Sequence, residues 1–182
     1  MPVSSWAVTP EVAKIILINQ PKTVLDLGIG HGMNGAIVRN WLDNGVKPYK
    51  THLEGVEGFN YRSPLWECYN VVHECTIQKF FENDSRKWGA ILLTDVIEHF
   101  DKLEALEIIR KCKDRLDAFG VLLIVTPGIW IEQDAVHGNE LEVHKSKWTW
   151  FDFTALGFSI AKKGDTVDEY GYQMVVAEYV NR

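Results

Sequence analysis

Five short strand-like segments, the last of them fully apolar, constrain this chain more than any other feature of its sequence. They are Thr23–Leu27, Thr51–Glu57, Tyr69–Thr76, Trp88–Thr94 and Val121–Val125. Runs of this length suit strands buried on both faces of a sheet. Helical patterns lie around and between them. Thr9-Pro10-Glu11 opens one, with a hydroxyl for the N-cap, proline at the first helical position and an acid in the first turn. Val12, Ile15, Ile16 and Asn19 follow at helical spacing, and Pro21 stops the run. Met33–Leu42 reads as a second helix, ending near Asn44-Gly45. Asp101–Leu116 reads as a third, with Leu103, Leu106, Ile109 and Leu116 apolar among charges and Gly120 closing it. Strands alternating with helices predict an α/β protein, with a parallel sheet covered on both faces.

Past Pro127 the texture changes. Gly128–Lys147 is a long polar and aromatic connection, and Thr149–Leu156 is a short helix stopped by Gly157. Phe158–Lys162 and Gln173–Val180 then read as two strands joined by a loop over Gly164–Gly171, a hairpin-like ending. The 182 residues suggest one domain over 1–182, with residues 1–21 as an N-terminal helical extension. The best candidate for a membrane span, Ile15–Ile18, falls far short of the roughly 20 residues that span a bilayer. The N-terminus lacks the pattern of a secretory signal. Cys68, Cys75 and Cys112 are odd in number and widely spaced, which fits reduced thiols and a cytoplasmic location without a disulfide framework. A formal net charge of −6 argues against nucleic acid or an anionic membrane as partner.

The densest chemical signal is Val24-Leu25-Asp26-Leu27-Gly28-Ile29-Gly30-His31-Gly32. Three alternating glycines stand where the first strand hands over to a helix. Glycine there accepts positive φ and lets a ligand lie on the backbone. The helix start beyond adds free N–H groups and a positive dipole end. The dinucleotide fingerprint G-x-G-x-x-G fails, because its third glycine would have to be Met33. That weakens a nicotinamide-dependent oxidoreductase, which stays an alternative. A phosphate-cradling loop with its lysine is absent as well. An acid at Asp26 would repel a pyrophosphate and suit a cationic or zwitterionic ligand.

On these residues the chain resembles the class I S-adenosylmethionine-dependent methyltransferases, over about residues 22 to 180. The resemblance implies a three-layer Rossmann-like fold, with a mostly parallel seven-stranded sheet and an antiparallel C-terminal hairpin strand. It implies S-adenosylmethionine as cofactor and S-adenosylhomocysteine as product. Gly28, Ile29, Gly30, His31 and Gly32 would flank the amino-acid part of the cofactor, with Asp26 near its ammonium. Glu57, ending Leu53-Glu54-Gly55-Val56-Glu57-Gly58, matches the family's acid that accepts both ribose hydroxyls, since one carboxylate offers acceptors at the spacing of a cis-diol. The family's adenine-contacting acid after the third strand has no clear counterpart in Val71–Thr76. Glu74, Thr76 or a backbone group could serve.

The segment Asp95-Val96-Ile97-Glu98-His99-Phe100 resembles the D-V-L-E-H stretch of many small-molecule methyltransferases. That places Asp95 at the strand tip near cofactor and methyl, with Glu98 and His99 one turn on. Three readings compete here. Glu98 and His99 could brace the following loop and helix. His99, or Asp95 second, could act as general base, since an imidazole titrates in the range needed to take a proton from a hydroxyl or amine. Asp95, Glu98 and His99 could also hold a divalent metal with a ligand from the long connection, where His137 and His144 lie. Enzymes that methylate the 2′-hydroxyl at small-RNA 3′ ends are similar in carrying an acid-x-x-Glu-His stretch. They also keep a histidine shortly before a tryptophan, as in His144-Lys145-Ser146-Lys147-Trp148.

In the connection, Trp130 and His137 read as a lid over substrate, with His144 beside them, while Phe151 and Phe153 read as inward packing. Tyr61, Arg62 and Trp66 could form a further wall. The expectation is methyl transfer to an O, N or C nucleophile of a small molecule. The alternatives are metal-assisted methylation of an RNA 3′ end, a methyltransferase-like binding module without turnover, and the oxidoreductase.

Overall fold

The computed structural model describes residues 8–167 and 173–182. The strands are β1 Thr23–Leu27, β2 His52–Glu57, β3 Val71–Glu74, β4 Trp88–Thr94, β5 Leu116–Pro127, β6 Ser159–Val167 and β7 Gln173–Val180. They form one seven-stranded sheet in the order β3-β2-β1-β4-β5-β7-β6. The first five pair in parallel, and β7 runs antiparallel between β5 and β6. The helices are α1 Thr9–Asn19, α2 Met33–Trp41, α3 Ile77–Asn83, α4 Lys102–Asp114 and α5 Trp150–Ala155.

Each face of the sheet carries its own core. On one face Val12, Ile15 and Ile16 of α1 and Ile37 and Val38 of α2 cover Val24, Leu53, Leu92 and Leu123. On the other, Phe80 and Phe81 of α3, Ile108 and Ile109 of α4 and Phe153 of α5 cover Leu25, Leu27, Ile91, Leu93 and Ile124. The centres of β4 and β5 are apolar at every position because alternate side chains serve opposite cores. β2 and β4 flank β1 on opposite sides, so the strand order reverses at β1. An open parallel sheet leaves a crevice at that point, outside the carboxyl ends of the strands.

Several local expectations need correction. Thr9 is the first residue of α1, and Val8 is the N-cap without a side-chain hydrogen bond. Ile16 is fully buried, so α1 packs into the core. α3 was not foreseen; Thr76 Oγ1 caps it by accepting from Lys79 N–H, and its two phenylalanines bury it. α4 ends at Asp114, where the Arg115 N–H closes onto Cys112 and Lys113 carbonyls. Leu116 and Gly120 therefore belong to β5, and Leu103 is 80% exposed because the buried stripe is Ala105, Ile108, Ile109 and Cys112. Gly120 serves close backbone approach instead, since a Cβ would lie 2.9 Å from the Trp88 carbonyl oxygen. Phe153 packs inward, but Phe151 is 64% exposed and stacks on Trp150. β6 reaches Val167, beyond the predicted Lys162, and the rest of the predicted hairpin loop lies outside the described residues.

Candidate functional site

A cavity of about 180 Å³ opens at the switch point. Its floor is the turn after β1, where Gly28 and Gly30 take φ values of 74° and 49°. A Cβ at Gly28 would meet Val96 Cγ2 at 2.5 Å, so glycine is needed there for φ and for packing. The turn is braced from outside by Trp66, whose Nε1–H donates to the Gly30 carbonyl at 2.8 Å. Ser63 Oγ donates to the His31 carbonyl at 2.7 Å. Gly32, at φ 88°, is the N-cap of α2 and packs on the Leu65 backbone. His31 and Gly32 thus shape the turn without lining the cavity.

Glu57 closes one side from the tip of β2. Its Oε2 accepts from Gly30 N–H at 2.8 Å and its Oε1 from Phe59 N–H at 2.9 Å. Burial raises its pKa while these backbone donors pull it back. Gly58 lines the cavity beside it, where a Cβ would strike Leu141 Cδ1 at 2.5 Å. Thr76, Ile77 and Gln78 continue the wall from the turn into α3. Glu74 stands outside, paired with Asn60.

Asp26 lies one layer beneath. It is fully buried, with Oδ1 accepting from Asn34 Nδ2 at 3.1 Å and Oδ2 from the Tyr69 hydroxyl at 2.6 Å. Burial raises its pKa to about 6 against those two hydrogen bonds. Asn34, unremarked in the sequence, lines the cavity in its place.

Asp95, at φ 52°, follows β4 and lines the cavity together with Val96, His99 and Phe100. Glu98 turns away and is buried, with Oε2 accepting from Thr126 Oγ1 at 2.9 Å. Its backbone carbonyl takes the Lys145 and Ser146 N–H groups, which pins the long connection to this turn. Burial, and then the Asp95 charge, push the Glu98 carboxyl well above the usual carboxylate range. Burial, and then His144, depress the His99 imidazole to about 4. His144 is also lowered by burial, and the two rings meet edge to face at 4.9 Å. His99 Nδ1–H points to the Val143 carbonyl at 3.4 Å and His144 Nδ1–H donates to the Ile131 carbonyl at 2.7 Å. Each ring then carries its lone pair on Nε2. One ligand atom from each of Glu98, His99 and His144 lies within 4.8 Å of the others, a group that could hold a metal ion and does not include Asp95.

The covering segment is Asn139, Leu141, Glu142 and Lys145. Tyr61 clasps it, donating to Glu142 Oε1 at 2.7 Å and accepting from Asn139 Nδ2 at 2.7 Å. Trp130, 49% exposed, meets the His144 ring edge to face, and none of Trp130, His137 and His144 lines the cavity. Tyr61 falls on this clasp and Trp66 on the brace.

No protein-family model matches the chain, and no curated protein matches it. Solved structures do. A Burkholderia thailandensis 1,6-didemethyltoxoflavin-N1-methyltransferase, with its substrate and S-adenosylhomocysteine bound, aligns at TM-score 0.65 and 16% identity, over 96% of this chain and 78% of that one. A plantazolicin methyltransferase bound to a substrate analogue and S-adenosylhomocysteine aligns at 0.64 and 12%, over 97% and 86%. An O-methyltransferase family protein from Burkholderia thailandensis aligns at 0.60 and 16%, over 94% of this chain and 55% of its own length. The chain therefore spans about half the length of that protein. The chain shares the fold of these solved methyltransferases. Among the described residues, no helix is long and apolar enough to cross a membrane.

Proposed function

We propose that this chain transfers a methyl group from S-adenosylmethionine to an O, N or C nucleophile of a small molecule. The observation that carries the reading is the joint placement of the open Gly28–Gly30 turn and the Glu57 carboxylate on one cavity at the switch point. Each Glu57 oxygen accepts one backbone N–H and keeps capacity for a hydroxyl of a cis-diol. Gly28, Ile29 and Gly30 offer backbone to the cofactor's amino-acid end, with Gly58 and Thr76 at its nucleoside end. The two aligned structures with S-adenosylhomocysteine support the cofactor. When bound, that cofactor supplies a methyl already activated on a sulfonium, so the protein's task is alignment and exclusion of water. His99 faces the cavity as a neutral imidazole and is the first candidate to take the acceptor's proton; Asp95 is the second. The net charge of −6 favours a small acceptor over nucleic acid.

Calorimetric titration with S-adenosylhomocysteine, with NAD as control, tests the cofactor. Micromolar binding of the former alone is expected; binding of NAD instead would overturn the reading. Transfer of labelled methyl groups into metabolite pools then separates an enzyme from a binding module without turnover.

A second reading adds a divalent metal, and the convergence of Glu98, His99 and His144 favours it. Both imidazoles are oriented by carbonyls behind them, as metal-binding histidines are. Such an ion would draw a ribose 3′ end of RNA into contention as acceptor. Titration with manganese, followed by paramagnetic relaxation, tests it. Saturable binding lost in His144→Ala supports the metal, and binding unchanged in that variant removes it.

A further inference from the structure

The resemblance put Asp26 next to the cofactor's ammonium, yet Asn34 stands between that carboxyl and the cavity. Asn34 Nδ2 donates to Asp26 Oδ1 at 3.1 Å and to Thr94 Oγ1 at 2.8 Å, so both amide protons are used. An ionised aspartate only accepts, which fixes which end of the amide points down. Tyr69 locks the arrangement further: its hydroxyl donates to Asp26 Oδ2 at 2.6 Å and accepts from Gly35 N–H at 3.0 Å, in the first turn of α2. What Asn34 has left is Oδ1. It takes no hydrogen bond from the described residues and is not among the polar atoms sealed from solvent, on a residue that lines the cavity. The cavity wall at this point therefore presents a bare acceptor, held in one orientation by a buried acid. Gly28, Thr94 and Asp95 line the cavity with it, at the end reached from β1 and β4.

We propose that Asn34 Oδ1 is the acceptor for the ammonium of the cofactor's amino-acid end. Asp26, Tyr69 and Thr94 are its positioning residues. The assignment rests on the cofactor reading above. A neutral acceptor backed by a buried acid favours a cationic donor without placing a carboxylate against the cofactor's own. It makes the site selective for ligands that carry the amino group.

The test is a ratio. Affinity for S-adenosylhomocysteine is compared with affinity for the analogue lacking only the amino group. The wild type is expected to prefer the amino compound roughly tenfold or more, as for a hydrogen bond to a charged group. Asn34→Leu should bring the ratio close to one by weakening only the amino compound. Asn34→Asp keeps an acceptor and should keep the preference. A preference that survives Asn34→Leu, or a wild type that binds both compounds equally, would overturn the assignment while leaving the cofactor reading intact. No binding of either compound by the wild type would overturn both. Should Asn34→Leu fail to fold, the wild type decides through its labelled Asn34 side-chain amide resonances. They should shift with S-adenosylhomocysteine and stay in place with the analogue, and equal shifts with both would refute the proposal.

Discussion

Asp26 occupies an inner strand of the sheet with its carboxyl wholly out of water, where burial lifts its pKa to about 6. In the unfolded chain the same group titrates near the ordinary aspartate value, about 3.9. Between those two values the unfolded state releases its proton first, so stability contributed by the neutral form is lost as the pH rises. Asp26→Asn removes that ionisation. Relative to the wild type it should gain about 3 kcal/mol between roughly pH 4 and pH 7. Urea denaturation of both chains at the two pH values measures this, and a difference that does not change with pH would assign the titration elsewhere. The same variant can also donate toward Asn34, which frees that amide to turn over, so cofactor affinity should fall even as the fold gains. Gly28 sets a second constraint. Gly28→Ala forces a side chain into φ 74° and against Val96 at 2.5 Å. Left-handed backbone and overpacking together should cost about 2–4 kcal/mol. In the double variant with Val96→Ala only the steric part should return, so thermal melts of the single and double variants separate the two causes.

Elements whose signal is local were legible in the sequence, and elements made by distant contacts were not. β1 and β4 run from the first to the last residue expected, because each is a short, mostly apolar segment closed by a polar residue or a glycine turn. The glycine turn and Glu57 were legible for the same reason, each sitting directly at a strand end. α3 escaped because seven residues make too few turns for a period to show. The cover of the cavity escaped because its residues are polar or isolated along the chain, and Tyr61 meets Glu142 across 81 residues. Asn34 had no signal of its own, since its role exists only once α2 stands over Asp26 and Thr94. The Tyr61 clasp makes a prediction about the connection as an element. Tyr61→Phe keeps the ring contacts with His31 and Phe59 but removes the hydroxyl shared by Asn139 and Glu142. Losing that bridge to a buried carboxylate should speed S-adenosylhomocysteine release roughly tenfold with little change in melting temperature. Stopped-flow fluorescence reads the rate, and an unchanged rate would mean that the segment over the cavity does not gate it.

Five successive stations of the chain converge on the cavity: the ends of β1 and β2, the turn into α3, the end of β4 and the connection after β5. These stations draw on both cores, since Ile29 belongs to one and Val56, Ile77 and Val96 to the other. A ligand that touches all of them binds the folded chain and has no site on the unfolded one. Its binding free energy therefore adds to global stability, about 2.7 kcal/mol at a free concentration one hundred times the dissociation constant. S-adenosylhomocysteine should raise the melting temperature accordingly, and NAD should not. Glu57→Gln separates the site from the scaffold. The amide keeps a side chain of the same size at the tip of β2 but replaces one acceptor oxygen with a donor, so it cannot serve both hydroxyls of a diol. Such a variant also gives up one of the two backbone N–H contacts, so it should melt somewhat below the wild type when empty, and it should lose most of the ligand-induced shift, with affinity down roughly ten- to a hundredfold. A full shift in Glu57→Gln would move the ribose away from β2. A shift lost in Glu57→Gln but kept in Tyr61→Phe would show that the strand tips hold the cofactor and the connection only times its departure.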